Sequence, residues 1–278
     1  MEQKSYDDKN GVYLIPTPIG NMDDITYRIL ETLKKVDVIF SEDTRVTNEL
    51  LKHFDIHKKL ISSHQYNEQQ NKDKIVSLLE EGKNIGIVTD RGTPIISDPG
   101  FILTKHVIDK GYKVVALPGP TAFVPALIAS GIDPQPFYFH GFLKTTSSKR
   151  KVELENLKNL QAALIFYEAP HRIEETLKDI KEVLGNRKIS ISREISKKFE
   201  SIYRGNIDEI FEIIKGKKGE MVIIVEGNHQ NLNYDHLTLI EHVNLYIKEG
   251  KDKKEAMKLV AKDRNISKSE VYKEYENR

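Results

Sequence analysis

The 278-residue chain contains no cysteine. That excludes a disulfide scaffold, a thiolate zinc site and a cysteine nucleophile in one step, and it fits a reducing, cytoplasmic setting. Net charge is almost absent too: 43 Lys and Arg stand against 42 Asp and Glu, a formal +1. A polybasic nucleic-acid tail is therefore excluded, though a local basic patch is not. Arginine is scarce among the cations, ten against 33 lysines, so positive charge is mostly flexible point charge rather than bidentate fork. No apolar run approaches the roughly 20 residues that span a bilayer. The opening MEQKSYDDKN lacks the apolar core of a signal peptide, and residues 1–10 read as a disordered lead-in. There is no internal repeat and no low-complexity tract. Several motifs are missing as well. No G-x-x-x-x-G-K-[ST] argues against a phosphate-cradling loop, and no G-x-G-x-x-G follows the first strand. There is no H-E-x-x-H and no G-x-S-x-G. The nine histidines show no metal-ligand spacing, so no metal is expected.

What is present is the composition of a folded protein, 38% hydrophobic and 31% charged, at a length for one large or two medium domains. Short β-rich runs alternate with helical patterns. Gly11–Pro16, Val36–Phe40, Ile85–Asp90 and Lys113–Gly119 read as strands, with helix-length segments between them. The first of these segments runs from Asp23, with Ile25, Ile29, Leu30 and Leu33 on one face. Strand–helix–strand repetition with continuous apolar strands predicts an α/β fold whose first sheet is largely parallel and buried on both faces. A second set starts near Phe137, with strands at Ala162–Glu168, Lys188–Glu194 and Glu220–Gly227 and helices at 171–184 and 206–215. The polar, basic stretch Lys144–Lys151 reads as a mobile loop. Pro118, Pro120 and Pro125 put a domain change near 119–125, giving α/β domains at 11–121 and 122–228. A helical tail follows at 235–278, with helices near 235–249, 252–264 and 267–276, too small to bury much core alone.

In parallel α/β sheets, ligands sit at the carboxyl ends of strands. Here those ends are rich in Gly, Pro and small polar residues: Thr17–Asn21, Ser41–Arg45, Asp90–Gly100 and Pro118–Ala122. Proline stiffens a loop, and glycine lets a ligand approach the backbone. Any one could be an ordinary turn; four together at one sheet edge predict a rigid ligand cleft.

The segments PTPIGNMDDITYRIL (16–30), SEDTRVTNELL (41–51), DRGTPIISDPG (90–100), LPGPTA (117–122), FYEAPHR (166–172), REISKKFE (193–200) and GEMVIIVEG (219–227) follow one another in an order that resembles the ribosomal RNA small subunit methyltransferase I family. That family lies within the tetrapyrrole methylase-like superfamily of class III S-adenosylmethionine methyltransferases. The resemblance implies two α/β domains of the tetrapyrrole methylase type with S-adenosylmethionine in the cleft between them. It implies 2′-O-methylation of the ribose of a cytidine in the decoding region of 16S rRNA in the small ribosomal subunit, and a cytoplasmic homodimer. Carried over by motif, the cofactor-binding residues are Pro18, Ile19 and Gly20; Asp90, Gly92, Thr93, Pro94, Ile95, Ile96 and Ser97; Pro120, Thr121 and Ala122; and Tyr167, Arg193 and Met221. The sequence departs from the family pattern at Arg91, where Ala is common, and at Tyr66, where a second His is common. It also has Lys144 where Pro is common.

Methyl transfer to a ribose hydroxyl needs in-line alignment and gains roughly 10²–10⁴-fold from a positioned base. Asp43, His64 and Glu168 are the candidate catalytic groups, with Asp90 and His171 also within the motifs. Asp43 equally suits a helix cap beside Arg45. His171 and Arg172 at a helix start suit capping or a phosphate. RNA binding needs positive charge and, for a flipped base, a stacking surface. Arg45, Arg91, Lys144, Lys149, Arg150, Lys151 and Arg172 are the cation candidates; Tyr66 and Phe142 are the stacking ones. The tail from 251 resembles a helix-turn-helix, and its surplus of three basic residues over 247–278 is a weak footprint for DNA reading. Two other readings remain open. One is a small-molecule, tetrapyrrole-like C-methyltransferase, which would need cations around the cleft. The other is an RNA-binding relative that lost its chemistry, with Arg91 as the lesion.

Overall fold

A computed structural model describes residues 2–7, 9–228, 237–248, 250–264 and 266–276. The chain forms two compact units, residues 1–227 and 228–278. The first contains two five-stranded sheets.

The first sheet is parallel throughout, in the order β3-β2-β4-β1-β5. Its strands are β1 (Gly11–Leu14), β2 (Val38–Ser41), β3 (Lys59–Ser62), β4 (Ile85–Val88) and β5 (Lys113–Ala116). Helices α1 (Tyr27–Lys35), α2 (Thr44–His53), α3 (Lys72–Glu80) and α4 (Phe101–Asp109) connect them. One face packs Val12, Phe40, Ile85 and Ile87 against Ile75, Leu79, Leu103 and Val107 of α3 and α4. The other packs Tyr13, Ile15 and Ile39 against Ile29 and Leu33 of α1 and Leu51 of α2. Continuous apolar strands are what burial on both faces requires. Helix α1 starts later than the pattern from Asp23 suggests, because Thr26 caps it, accepting from the Ile29 N–H at 3.2 Å, while 22–24 form a 3-10 turn. Val36 belongs to the end of α1, so β2 begins two residues later than the apolar run.

The second sheet is mixed, in the order β6-β7-β10-β8-β9. Its strands are β6 (Phe137–Phe142), β7 (Ala163–Glu168), β8 (Lys188–Arg193), β9 (Ser201–Asn206) and β10 (Met221–Val225). Only β6 and β7 run parallel. Helices α6 (Ser147–Leu157), α7 (Ile173–Leu184) and α8 (Ile207–Ile214) cover one face, where Phe166, Ile191 and Ile223 meet Leu154, Leu177 and Ile210. The opposite face packs Ile165, Val222 and Ile224 on Ala126 and Leu127 of α5 (Phe123–Ile128).

Two strands, β3 and β9, carry no apolar run. Both are edge strands with mostly half-buried or exposed residues, so hydrophobicity does not mark them. The lead-in differs from expectation. Gln3 pairs its amide with both backbone groups of Val114, at 2.8 and 2.9 Å, and Asp7 meets the ammonium of the buried Lys113 at 2.5 Å. The open edge of β5 supplies the partners that order this segment.

The second unit comprises α9 (Leu239–Lys248), α10 (Lys253–Asp263) and α11 (Lys268–Glu276) around Val243, Ala256, Met257, Val260, Ala261 and Val271. The expected helix start at 235 lies outside the described residues. Among the described residues, no helix is long and apolar enough to cross a membrane.

Candidate active site

The carboxyl ends of β1, β2, β4 and β5 converge on one cleft of about 790 Å³, closed on its other side by the second sheet. The β4–α4 loop forms much of its wall. Its root is pinned by reciprocal backbone bonds between Thr17 and Gly92, at 2.8 and 3.0 Å, and by Thr93 donating its hydroxyl to the Pro120 carbonyl at 3.0 Å. Gly92 has φ +85°, and beyond it Ile95 (φ +76°) and Ser97 (φ +65°) sit in the left-handed region. A β-branched residue there is strained, and such strain concentrates at functional loops. Gly141, at the bulge of β6, lets this loop approach: a Cβ there would stand 2.8 Å from the Ser97 hydroxyl.

Pairing in the second sheet decides which side chains face the cleft. Tyr167, Val222 and Ser192 lie abreast on β7, β10 and β8, and all three line it. The next row, Glu168, Met221 and Arg193, points to the opposite face because strand side chains alternate. Arg193 accordingly donates to the carbonyls of Lys218 and Phe199 and to Ser201, and does not line the cleft. Met221 borders the cleft at its strand end while its side chain joins the core under α6–α8.

Of the expected cofactor residues, Ile19, Asp90, Gly92, Thr93, Ile96, Ser97, Thr121, Ala122, Tyr167 and Met221 line the cleft. Pro18, Gly20, Pro94, Ile95 and Pro120 do not. Pro18 and Pro94 are buried behind the loops, and Gly20 packs against the Lys197 side chain. Their part is to set the shape of the loops.

The three catalytic candidates fare differently. Asp43 is the N-cap of α2, accepting from the Arg45 N–H at 2.8 Å and pairing with its guanidinium at 2.7 Å. That partner holds its carboxyl at about 2, too weak a base for the task, and Asp43 does not line the cleft. His64 lies beyond the edge strand β3, outside the lining, with Nδ1 buried and unpartnered and its ring against Tyr66. Glu168 is buried at the cleft border, but its carboxylate is occupied by the Ala169 N–H at 2.8 Å, the Thr176 hydroxyl at 2.5 Å and Arg172 at 3.4 Å. It holds the start of α7.

The expected basic loop is largely helix. α6 begins at Ser147, and Arg150 is fully buried, its Nε 2.7 Å from Asp179. Arg150 is therefore a structural residue rather than an RNA contact: burying a guanidinium requires a partner, and α7 supplies it. Lys151 is paired with Glu182 at 2.6 Å. Arg172 donates to the carbonyls of Leu143 and Lys144 at 2.8 and 3.1 Å, tying the β6–α6 connection to α7. Arg45 is spent on Asp43. Lys144 and Lys149 remain exposed. Arg91 reaches across the cleft mouth to Glu220 at 3.2 Å, where Lys197 also binds at 2.7 Å, so the unusual arginine ties the two halves together. Phe142 lies half-exposed at the rim, edge-on to Tyr167. Tyr66 is exposed.

Reading by motif missed Glu42 and Asp98. Both line the cleft, and Thr89 donates its hydroxyl to Glu42 at 3.0 Å. Burial, with the charges of Glu42 and Asp90, pushes the Asp98 carboxyl up to about 6. Burial also raises Asp90, which accepts the Asp43 N–H at 3.0 Å. The one signal in the sequence was position: Asp98 closes the longest strand-end loop. Among the described residues, no group of three or more His, Asp or Glu is arranged to hold a metal ion.

Two facing sheets with a proline-stiffened cleft between them define a class. The family model described as Tetrapyrrole (Corrin/Porphyrin) Methylases matches residues 11–210. Solved structures agree at the level of fold: that of the methyltransferase CobJ superposes with TM-score 0.60 at 17% identity, over 79% of this chain and 95% of that one. Uroporphyrin-III-C-methyltransferase from Thermus thermophilus gives 0.55 at 18%, over 77% and 93%. In sequence the chain is 46% identical to ribosomal RNA small subunit methyltransferase I of Bacillus subtilis (strain 168), over 98% of this chain and 97% of that protein. It is 39% identical to the protein of that name from Escherichia coli O157:H7, over 98% and 97%. The chain belongs to the ribosomal RNA small subunit methyltransferase I family, within the tetrapyrrole methylases.

Proposed function

We propose that the protein is an S-adenosylmethionine-dependent methyltransferase that modifies the ribose 2′-hydroxyl of a cytidine in the decoding region of 16S rRNA. The observation that carries the reading is the convergence of family motifs on one cleft. Ten of the sixteen residues expected at the cofactor line it, and the relatives bear the name of a small-subunit rRNA methyltransferase.

The residues present fit the methyl donor. The Ser192 hydroxyl is fully buried, lines the cleft and has no protein partner, as expected of a group reserved for a ligand. Gly92, Thr93, Ile96 and Ser97 from one loop, Thr121 and Ala122 from the next, and Tyr167 opposite would hold it. Asp90 and Asp98 offer negative charge to a cationic ligand. When bound, S-adenosylmethionine supplies an electrophilic methyl group on a sulfonium. The chain's own part is to align the incoming oxygen with that methyl, to exclude water with Phe142 and Tyr167, and to accept a proton.

The cleft suits a neutral sugar better than a porphyrin acid. Its wall carries Glu42, Asp90 and Asp98, while the cations at its mouth, Arg91 and Lys197, are already bound to Glu220. A substrate bringing several carboxylates would meet repulsion there. Arg91 points away from the donor loop toward Glu220, which argues against its being a lesion. The proposal includes a cytoplasmic homodimer, an expectation from the family that sedimentation would test. Mass-spectrometric mapping of 16S rRNA from cells lacking the protein tests the function. The expected result is loss of one cytidine ribose methyl; an unchanged modification pattern refutes it. Titration calorimetry with S-adenosylmethionine separates an active enzyme from a relative without chemistry, which would release no heat of binding.

A further inference from the structure

We propose that Arg91 and Lys197 form the seat of the RNA phosphodiester beside the methylated ribose, and that the Glu220 carboxylate fills this seat in the free enzyme and yields it to the phosphate; this rests on the rRNA-methylation reading above. A ribose hydroxyl does not arrive alone. The carbon next to the one bearing the 2′-oxygen carries the 3′-phosphate, so an anion follows the hydroxyl to the cleft. The wall it meets is acidic, with Glu42, Asp90 and Asp98 in the lining. Among the described residues, Arg91 and Lys197 are the only arginine and lysine in that lining, and both meet at the mouth on Glu220.

The present occupant is weakly held. The Glu220 side chain is 65% exposed and that of Arg91 55%, and exposed ion pairs add little net stability. Arg91 reaches both Glu220 oxygens with one nitrogen, Nη1, at 3.3 and 3.2 Å. Its Nε and Nη2 make no hydrogen bond among the described residues, so the edge of the guanidinium that pairs two-pronged with a phosphate stands open. Arg45, Arg172 and Arg193 are turned onto protein acceptors instead, and none of them lines the cleft.

Lys197 is placed to stay when Glu220 leaves. Its ammonium also lies 3.0 Å from the Glu194 carboxylate, and its stem runs over Gly20, where a Cβ would strike it. The displaced Glu220 turns to water, so no charge is left buried and unpaired. The exchange swaps one monoanion for another and leaves the charge of the mouth unchanged. The several carboxylates of a porphyrin acid outnumber this single seat.

The test is the affinity of the full-length, N-terminally labelled protein for small ribosomal subunits lacking the modification, read by fluorescence anisotropy across a salt series. Wild type is compared with Arg91→Ala, Arg91→Lys and Glu220→Gln. All three should melt within about 4 °C of wild type, because the pair they alter is exposed. Arg91→Ala should weaken binding by about tenfold at low salt. It should also lower the slope of log affinity against log salt by about 0.7–0.9, the share of one phosphate contact. Arg91→Lys, which keeps the charge but not the fork, should keep the slope and lose part of the affinity. Glu220→Gln removes the occupant and should tighten binding by about two- to fivefold, the equivalent of an exposed ion pair that no longer has to be broken. The opposite signs are the signature: a bridge that only ties the two halves together would weaken binding when cut from either side. Glu220→Gln that fails to tighten binding, or Arg91→Ala that leaves affinity or slope at the wild-type value, overturns the inference while wild type still binds and methylates the subunits. If wild type does neither, the rRNA reading itself falls.

Discussion

Replacing Arg150 by methionine should destabilise the protein without weakening RNA binding. The side chain is fully buried, with Nε 2.7 Å from Asp179 and Nη1 3.2 Å from the Thr145 carbonyl. Methionine preserves much of the packing volume but leaves the buried Asp179 carboxylate without its principal partner. Breaking a buried pair from one side costs about 3–5 kcal/mol. Two contacts survive the substitution, the Ser147 hydroxyl at 2.9 Å and the Lys151 ammonium at 3.7 Å, so the lower end, about 3 kcal/mol, is expected. For a unit of this size that corresponds to a fall in Tm of about 6–12 °C. Urea unfolding followed by circular dichroism gives the free energy, and fluorescence anisotropy with a labelled rRNA fragment gives the affinity. Arg150→Met combined with Asp179→Leu should recover much of the loss, because no charge is then left buried. A destabilisation under about 1 kcal/mol together with weakened RNA binding would show that this guanidinium faces solvent, and would refute the buried-pair argument.

Gly141→Ala should both weaken S-adenosylmethionine binding and lower Tm, since its Cβ would meet the Ser97 hydroxyl at 2.8 Å and push the cleft loop, and its φ of +80° strains any side chain there; calorimetry beside a melting curve checks this. Asp98 also predicts a pH effect on stability. Its folded carboxyl titrates near 6, above the unfolded value of 3.8, so the folded state binds the extra proton more tightly. Stability should fall as pH rises from about 4 to about 6, and Asp98→Asn should flatten that slope in a Tm series across pH. In the second unit, Lys254, Lys258 and Lys268 make no ion pair among the described residues and line a groove of about 490 Å³ with Met257 and Tyr272. If single-stranded RNA lies there, changing all three to glutamine should reduce the slope of log affinity against log salt by about 2. An unchanged slope would remove that groove from the RNA path.

What the chain order alone determined was the alternation of buried strands and helices and the position of the cleft. Runs such as Ile85–Val88 are apolar because both faces of the first sheet are covered. The Pro- and Gly-rich loops at four strand ends mark a ligand edge because a rigid backbone there has little other purpose. Tertiary structure decided everything that depends on what a charged side chain meets. Arg150 and Lys149 are neighbours in a basic stretch, yet one is sealed against Asp179, 29 residues away, and the other is exposed. The edge strands β3 and β9 were invisible because hydrogen bonding to a neighbour, rather than a buried face, defines them. Glu168 and Arg193 carry family motifs but fall on the row of the second sheet that faces its helices, while Ser192 and Tyr167 face the cleft; one residue of register separates the two outcomes. Asp98 follows the same logic. Nothing in its local sequence raises its proton affinity; burial beside Glu42, 56 positions earlier in the chain, does.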